Sequence, residues 1–257
     1  MYQMKRLRWL LLWTVWPVAT LTQPDTEADR LAQKSFNAVG GQEAWDGTRY
    51  LAFSFSAIRN SQQTPPIRHV WDRWEGRYRV SWKKGIDTTI TVLFNVQNQQ
   101  GKAYYNGVAA PEVQQKSLLS TAYRRFINDT YWLLVATKFF DPGVFRAAAP
   151  DSNTATTEVF TTSFGEVGLT PKDRYWFWVD KATGRIQQWA FVLQGNRDGK
   201  ATYFRWEDWE ALSCSKGTVW VSTRKVSPVN GNAILTNQVS CPIHIPPKVF
   251  ENPEDGY

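Results

Sequence analysis

From residue 50 onward, apolar and polar positions alternate with a period of two. Leu51, Phe53, Phe55 and Ala57 alternate with Ala52, Ser54 and Ser56. Tyr78, Val80 and Trp82 alternate with Arg77, Arg79 and Ser81, and Ile86, Thr88, Ile90, Val92, Phe94 and Val96 make one long face. A strand turns successive side chains to opposite sides, so this alternation predicts strands with one covered and one wetter face. Turn residues cut the runs at Glu75-Gly76, Lys84-Gly85, Asn106-Gly107, Thr183-Gly184 and Asn230-Gly231. Asn-Gly between alternating runs is the strongest short hairpin signal. The pattern predicts eleven strands, at 49–58, 67–74, 77–83, 87–96, 102–106, 156–164, 173–180, 186–194, 201–208, 218–227 and 233–243.

Two zones change to a helical period. Residues 26–39 place Ala28, Leu31, Ala32, Ser35, Phe36 and Val39 on one face, and Gly40-Gly41 stops them. The second zone opens at Pro111, a first-turn position, and carries Leu118, Leu119, Ala122, Phe126 and Ile127. Asn128-Asp129 then reads as the cap of a further short helix with Tyr131, Trp132, Leu133 and Leu134, closed by Pro142-Gly143. A ligand-contacting loop at Asn128-Asp129-Thr130 is the alternative. The stretch 147–157 reads as a surface loop and 246–257 as a flexible tail. The expected architecture is mainly β, a broad antiparallel sheet with a helical lid, in a single domain over 23–245.

The N-terminus adds a destination. Lys5, Arg6 and Arg8 precede an uncharged run from Trp9 to Thr22, shorter than the roughly 20 residues of a spanning helix. This predicts a signal peptide over 1–22, cleaved near Thr20 or Thr22, and export to a bacterial periplasm. An uncleaved N-terminal membrane anchor is the alternative. Losing the segment removes three basic residues and no acid, so the net charge falls from +7 to +4. That mild balance, without a basic stripe, argues against nucleic acid as a partner. Cys214 and Cys241 are the chain's two cysteines. In an exported chain they are expected to form a disulfide; two buried free thiols are the alternative.

Several stretches carry a resemblance. They are His69-Val70-Trp71-Asp72-Arg73, the run from Phe126 to Leu134, Asp141-Pro142-Gly143-Val144, and Val167-Gly168-Leu169-Thr170-Pro171. The runs from Tyr175 to Asp180 and from Trp189 to Gly195 belong with them, as does Trp206-Glu207-Asp208-Trp209. Over about residues 27–227 the chain resembles an exported bacterial family of unassigned function, itself similar to the outer-membrane lipoprotein-sorting (LolA-like) carriers. The resemblance implies an antiparallel unclosed half-barrel of the LolA/LppX kind, with helices lidding a hydrophobic concavity that takes acyl chains. The resemblance does not assign the sorting carriers' functional arginine to a position in this chain.

The chemistry-bearing residues are sparse. His69 sits in a predicted strand beside Trp71, and His244 lies between prolines; a sheet-face and a tail histidine are the plain readings. No nucleophile elbow accompanies them, and two histidines with two paired cysteines make a poor zinc set. Glu207-Asp208 and Asp72 with Glu75 are the carboxylate pairs that an aromatic cleft acting on carbohydrate would need. The eleven tryptophans after residue 22 weigh more. They predict a site of Trp132, Leu133, Trp176, Trp178, Trp189 and Phe191 between sheet and lid. The expected function is a non-catalytic, monomeric carrier or binding protein for a hydrophobic small molecule or lipid, with a lipid-modified protein or a membrane surface as partner and no metal or cofactor. A hydrolase and a protein-binding scaffold or chaperone of the cell envelope are the alternatives.

Overall fold

The computed structural model describes residues 27–165, 170–196 and 198–255. The expected signal segment lies outside the described residues, as do Val167, Gly168 and Leu169. Each of the eleven expected runs contains a strand, and three more join them. In chain order the strands are β1 (Tyr50–Arg59), β2 (Gln62–Gln63), β3 (Ile67–Asp72), β4 (Arg77–Lys84), β5 (Thr88–Asn95), β6 (Gly101–Tyr105) and β7 (Val108–Ala109). After a helical insertion come β8 (Val144–Ala148), β9 (Thr157–Phe164), β10 (Arg174–Asp180), β11 (Ile186–Val192), β12 (Thr202–Cys214), β13 (Gly217–Val226) and β14 (Ala233–Ser240). They form one sheet in the order β7-β6-β5-β4-β3-β1-β14-β13-β12-β11-β10-β9-β8, with β2 hairpinned on β1. Its pairings are antiparallel, and its two ends, β7 and β8, do not meet: the half-barrel is unclosed. The first and last strands pair in the middle, Phe55 opposite Thr236, which fixes the two halves of the chain side by side.

The strands that the pattern missed lack its signal. β2 and β7 are two residues each, and β8, Val-Phe-Arg-Ala-Ala, does not alternate apolar and polar residues. β8 is held from outside, where the Arg146 guanidinium binds Asp29 and the Phe139 carbonyl. It overlaps the expected 147–157 loop. β12 runs six residues past its predicted end. Asp208 takes a positive φ of 52°, and its carbonyl accepts a hydrogen bond from Thr223 Oγ1 at 2.9 Å, so the ladder continues.

Three α-helices lie on one face: α1 (Glu27–Ala38), α2 (Gly41–Gly47) and α3 (Glu112–Leu134). α3 corrects the expected break at Asn128-Asp129, because the polar groups find partners inside the helix. Thr130 Oγ1 donates to the Phe126 carbonyl at 2.6 Å, and Asn128 Nδ2 donates to Asp129 Oδ1 at 2.7 Å. Asp129 Oδ2 lies 3.1 Å from His69 Nε2, off the line of a good hydrogen bond. His69 stacks on Phe53 at 4.4 Å, and its Nδ1 is 2.8 Å from the Tyr78 hydroxyl. His69 is therefore a packed core histidine that ties the helix to the sheet.

The helix-bearing face carries two apolar clusters. One joins β1, β3, β4 and β5 to Phe126 and Leu133 of α3, with the Tyr78 and Phe126 rings 4.9 Å apart. The other joins Leu31 and Phe36 of α1 to Phe160, Phe177, Val179 and Ile186. A third cluster corrects the expected flexible tail. Ile245, Val249 and Phe250 pack on Tyr50, Ala52 and Val70, on the opposite face. Arg79 anchors the segment by donating to the carbonyls of Val249, Asn252 and Pro253. Its apolar residues are too few and too interrupted by proline to show periodicity, yet three of them cover Tyr50, Ala52 and Val70.

Cys214 and Cys241 form the disulfide, with Cα atoms 5.2 Å apart. β13 pairs with β14 at only three positions, Arg224 to Val226. The bridge links the far ends of β12 and β14, beyond the point where that ladder stops. Within that ladder Lys225 is fully buried, its Nζ donating to the Ser222 carbonyl and to Thr236 Oγ1. Burial pushes its pKa well below the ordinary lysine value.

Candidate functional site

The two clusters do not fill the face between them. A cavity of about 620 Å³ lies under the second half of α3, open at the end of the sheet where β1 and β11 finish and β10, β12 and β14 begin. The size is typical of sites for small organic ligands. Alternation supplies its floor. Phe55 and Ala57 point inward from β1, Tyr175 from β10, Trp189 and Phe191 from β11, and Phe204 from β12. Pairing aligns these residues in a band: Tyr175 lies opposite Phe191, and Trp189 opposite Phe204. Helical spacing supplies the roof, because Arg124, Ile127, Asn128 and Tyr131 recur at three and four residues on one side of α3. Trp132 reaches down as a wall, its ring 4.4 Å from Trp189 and 4.9 Å from Phe204. Tyr131 closes the far side, 5.2 Å from Tyr175.

The polar groups of the lining are few. Asp173 is buried, and its oxygens are occupied. Oδ2 accepts from Thr170 Oγ1 at 2.6 Å, and Oδ1 accepts from the Gln194 N–H at 2.7 Å. Burial, reinforced by Asp173, raises the Tyr175 phenol far above its ordinary pKa; Tyr131 is raised chiefly by burial. Both therefore stay neutral. The Trp189 indole N–H is buried with no hydrogen-bond partner among the described residues. Arg59 and Arg124 border the opening, and both are exposed. Such a lining can hold an apolar body by burial and orient one polar end. Among the described residues it includes no histidine, cysteine or serine.

Of the six expected site residues, Trp132, Trp189 and Phe191 line the cavity. Leu133 does not. Helical rotation turns it away, into the core with Phe126, at 3% exposure. Trp176 and Trp178 do not either. β10 is apolar on both faces, and its pairing sets Phe177, not Trp176 or Trp178, opposite Trp189. The two tryptophans therefore lie on the helix-free face, where Trp178 Nε1 donates to the Ser152 carbonyl and its ring meets Tyr203. Tyr175 takes the place expected for Trp176, one residue along. Arg124 and Tyr131 had a sequence signal in their helical spacing from Asn128; Phe55 and Phe204 had it in strand parity. The acidic pairs also lie elsewhere. Asp72 is buried between Arg49 and Arg77, with Arg77 Nη2 at 2.6 Å, and Glu207 sits 3.4 Å from Arg205. Among the described residues, no group of three histidine, cysteine or acidic side chains is placed to hold a metal ion.

No protein-family model matches the chain, and no curated protein matches it. Solved structures do, across most of their length at 10% identity. A DUF1329 family protein from Desulfovibrio piger has a TM-score of 0.49 over 88% of this chain and 97% of that one. A LolA superfamily protein from Nitrosomonas europaea has 0.46 over 87% and 96%. An outer membrane lipoprotein-sorting protein domain from Vibrio parahaemolyticus has 0.39 over 85% and 97%.

Proposed function

We propose that this protein is an exported, non-catalytic carrier or binding protein for a hydrophobic molecule such as a lipid or the acyl chain of a lipoprotein. The observation that carries the reading is the aromatic-floored cavity of about 620 Å³ between α3 and the sheet. Ordinary core packing leaves few voids larger than a water molecule. Here Trp132, Trp189, Phe191, Tyr175 and Phe204 hold a space open instead of closing it. Burying a methylene there contributes about 0.8 kcal/mol, so affinity rises about fourfold per added carbon until the cavity is full. The sheet and its helices act as one domain in this reading, with the helix as lid. Among the described residues, no helix is long and apolar enough to cross a membrane. The basic N-terminus and its short apolar run support export.

The test is mass spectrometry of solvent extracts from protein purified without detergent, together with titration of an apolar dye against tryptophan fluorescence. A co-purifying lipid, or dye binding displaced by acyl chains, supports the reading. An empty protein that binds neither dye, lipids nor acylated peptides ends it. N-terminal sequencing of the mature protein tests export separately, with a start near residue 23 expected.

A further inference from the structure

We propose that the ligand is an anionic amphiphile, its negatively charged head held at the cavity mouth by Arg59 and Arg124 and its chain lying on the aromatic floor. This rests on the carrier reading and adds the chemistry of the head group. Both arginines border the cavity, from two different elements. Arg124 stands one turn from Asn128 on α3, a continuous helix. Arg59 ends β1 in a tight hairpin, paired with Gln62 across Asn60 and Ser61, whose φ values of 49° and 64° suit a two-residue turn. The turn is pinned where the Asn60 N–H donates to Asn232 Oδ1 at 3.1 Å. Two defined backbone positions thus present two guanidinium groups to one opening.

Neither guanidinium has a carboxylate within 4.0 Å among the described residues. The acid in the described lining, Asp173, cannot neutralise them cheaply, because Thr170 and Gln194 already engage its two oxygens. The described lining has two positive charges to one negative. An arginine fork matches the paired oxygens of a carboxylate or phosphate better than a neutral hydroxyl. Beside an apolar cavity such a pair is less screened than on open surface.

Three probes of one chain length separate the possibilities: tetradecanoate, tetradecyl phosphate and tetradecanol, titrated at mildly alkaline pH. The anions are expected to bind at least tenfold more tightly than the alcohol, with an advantage that shrinks as salt is added. In the double variant Arg59→Gln, Arg124→Gln the anions should fall to the alcohol's affinity. The alcohol should lose far less affinity than the anions, and an unchanged melting temperature shows that the variant is folded. A preference between carboxylate and phosphate identifies the head. Equal binding of all three probes to the unaltered protein, or an anion preference that survives the double variant, overturns the inference and leaves the carrier reading standing. If none of the three probes binds, and neither the dye nor acylated peptides do, the carrier reading falls and takes the inference with it.

Discussion

Ala57 offers the sharpest test of the cavity, because one substitution there should change affinity and stability in opposite directions. It points inward from β1 between Phe55 and Arg59, is itself 7% exposed, and borders a space of about 620 Å³. In Ala57→Phe the ring would enter that space, where it needs no neighbour to move. Cavity-filling changes commonly add about 0.5–2 kcal/mol. For a chain of this size, that is a rise in melting temperature of about 1–8 °C in the ligand-free protein. The ring would occupy the volume beside Ile234 and Ile127 that a ligand chain needs, so affinity for an apolar dye should fall at least tenfold. Leu133→Trp is the contrast. Leu133 sits in filled core, so the larger ring should overpack and cost about 1–3 kcal/mol. Urea unfolding of the delipidated proteins and dye titration measure both quantities. If Ala57→Phe destabilises by as much as Leu133→Trp and leaves dye affinity intact, the space is not a cavity and the reasoning fails.

Other predictions follow from single interactions. Burial alone would raise the Asp72 carboxyl, but hydrogen bonds from Arg49 and Arg77, with the Glu75 N–H, hold its pKa below the ordinary value. Its contribution is thus complete above about pH 4 and is lost as pH falls through the folded value. Asp72→Asn should cost about 1–3 kcal/mol at neutral pH and flatten the acid arm of a urea midpoint-versus-pH curve. Lys225 titrates below its unfolded value, so the unfolded chain binds the extra proton, and wild-type stability should rise with pH up to about pH 10. Lys225→Met should remove that slope and stabilise at neutral pH, since Thr236 Oγ1 still donates to the Ser222 carbonyl; an unchanged slope would count against a buried neutral amine. Reduction of Cys214–Cys241, whose ends are 27 positions apart, should cost about 3–4 kcal/mol in denaturant unfolding. Phe250→Ala should cost about 3 kcal/mol by the same measurement if the C-terminal segment covers the sheet; a surface-like change of less than about 0.5 kcal/mol would mean that it does not.

The sequence by itself determined most of the strands, the helical zones and the partners of strands joined by tight turns. Period-two alternation is a local property, and the Gly-containing turns join neighbouring strands, so the hairpins β3–β4, β4–β5, β10–β11 and β13–β14 could be read directly. The helical spacing around Arg124 and Tyr131 was equally local. The tertiary structure decided which way the faces turn. β10 reads Tyr175, Trp176, Phe177, Trp178 and Val179, apolar on both sides, and a one-residue choice of face exchanges its whole set of inward residues. Only the packing of Phe177 against Phe139 and Phe160 selects it, and with it Tyr175 over Trp176. The same holds for α3. Its Asn128-Asp129-Thr130 looks like a cap until His69 of β3 lies 3.1 Å from Asp129. The pairing of β1 with β14 closes a loop of nearly the whole described chain, and no local pattern encodes a contact at that separation. The cavity depends on all three, because it is the volume left where long-range packing stops.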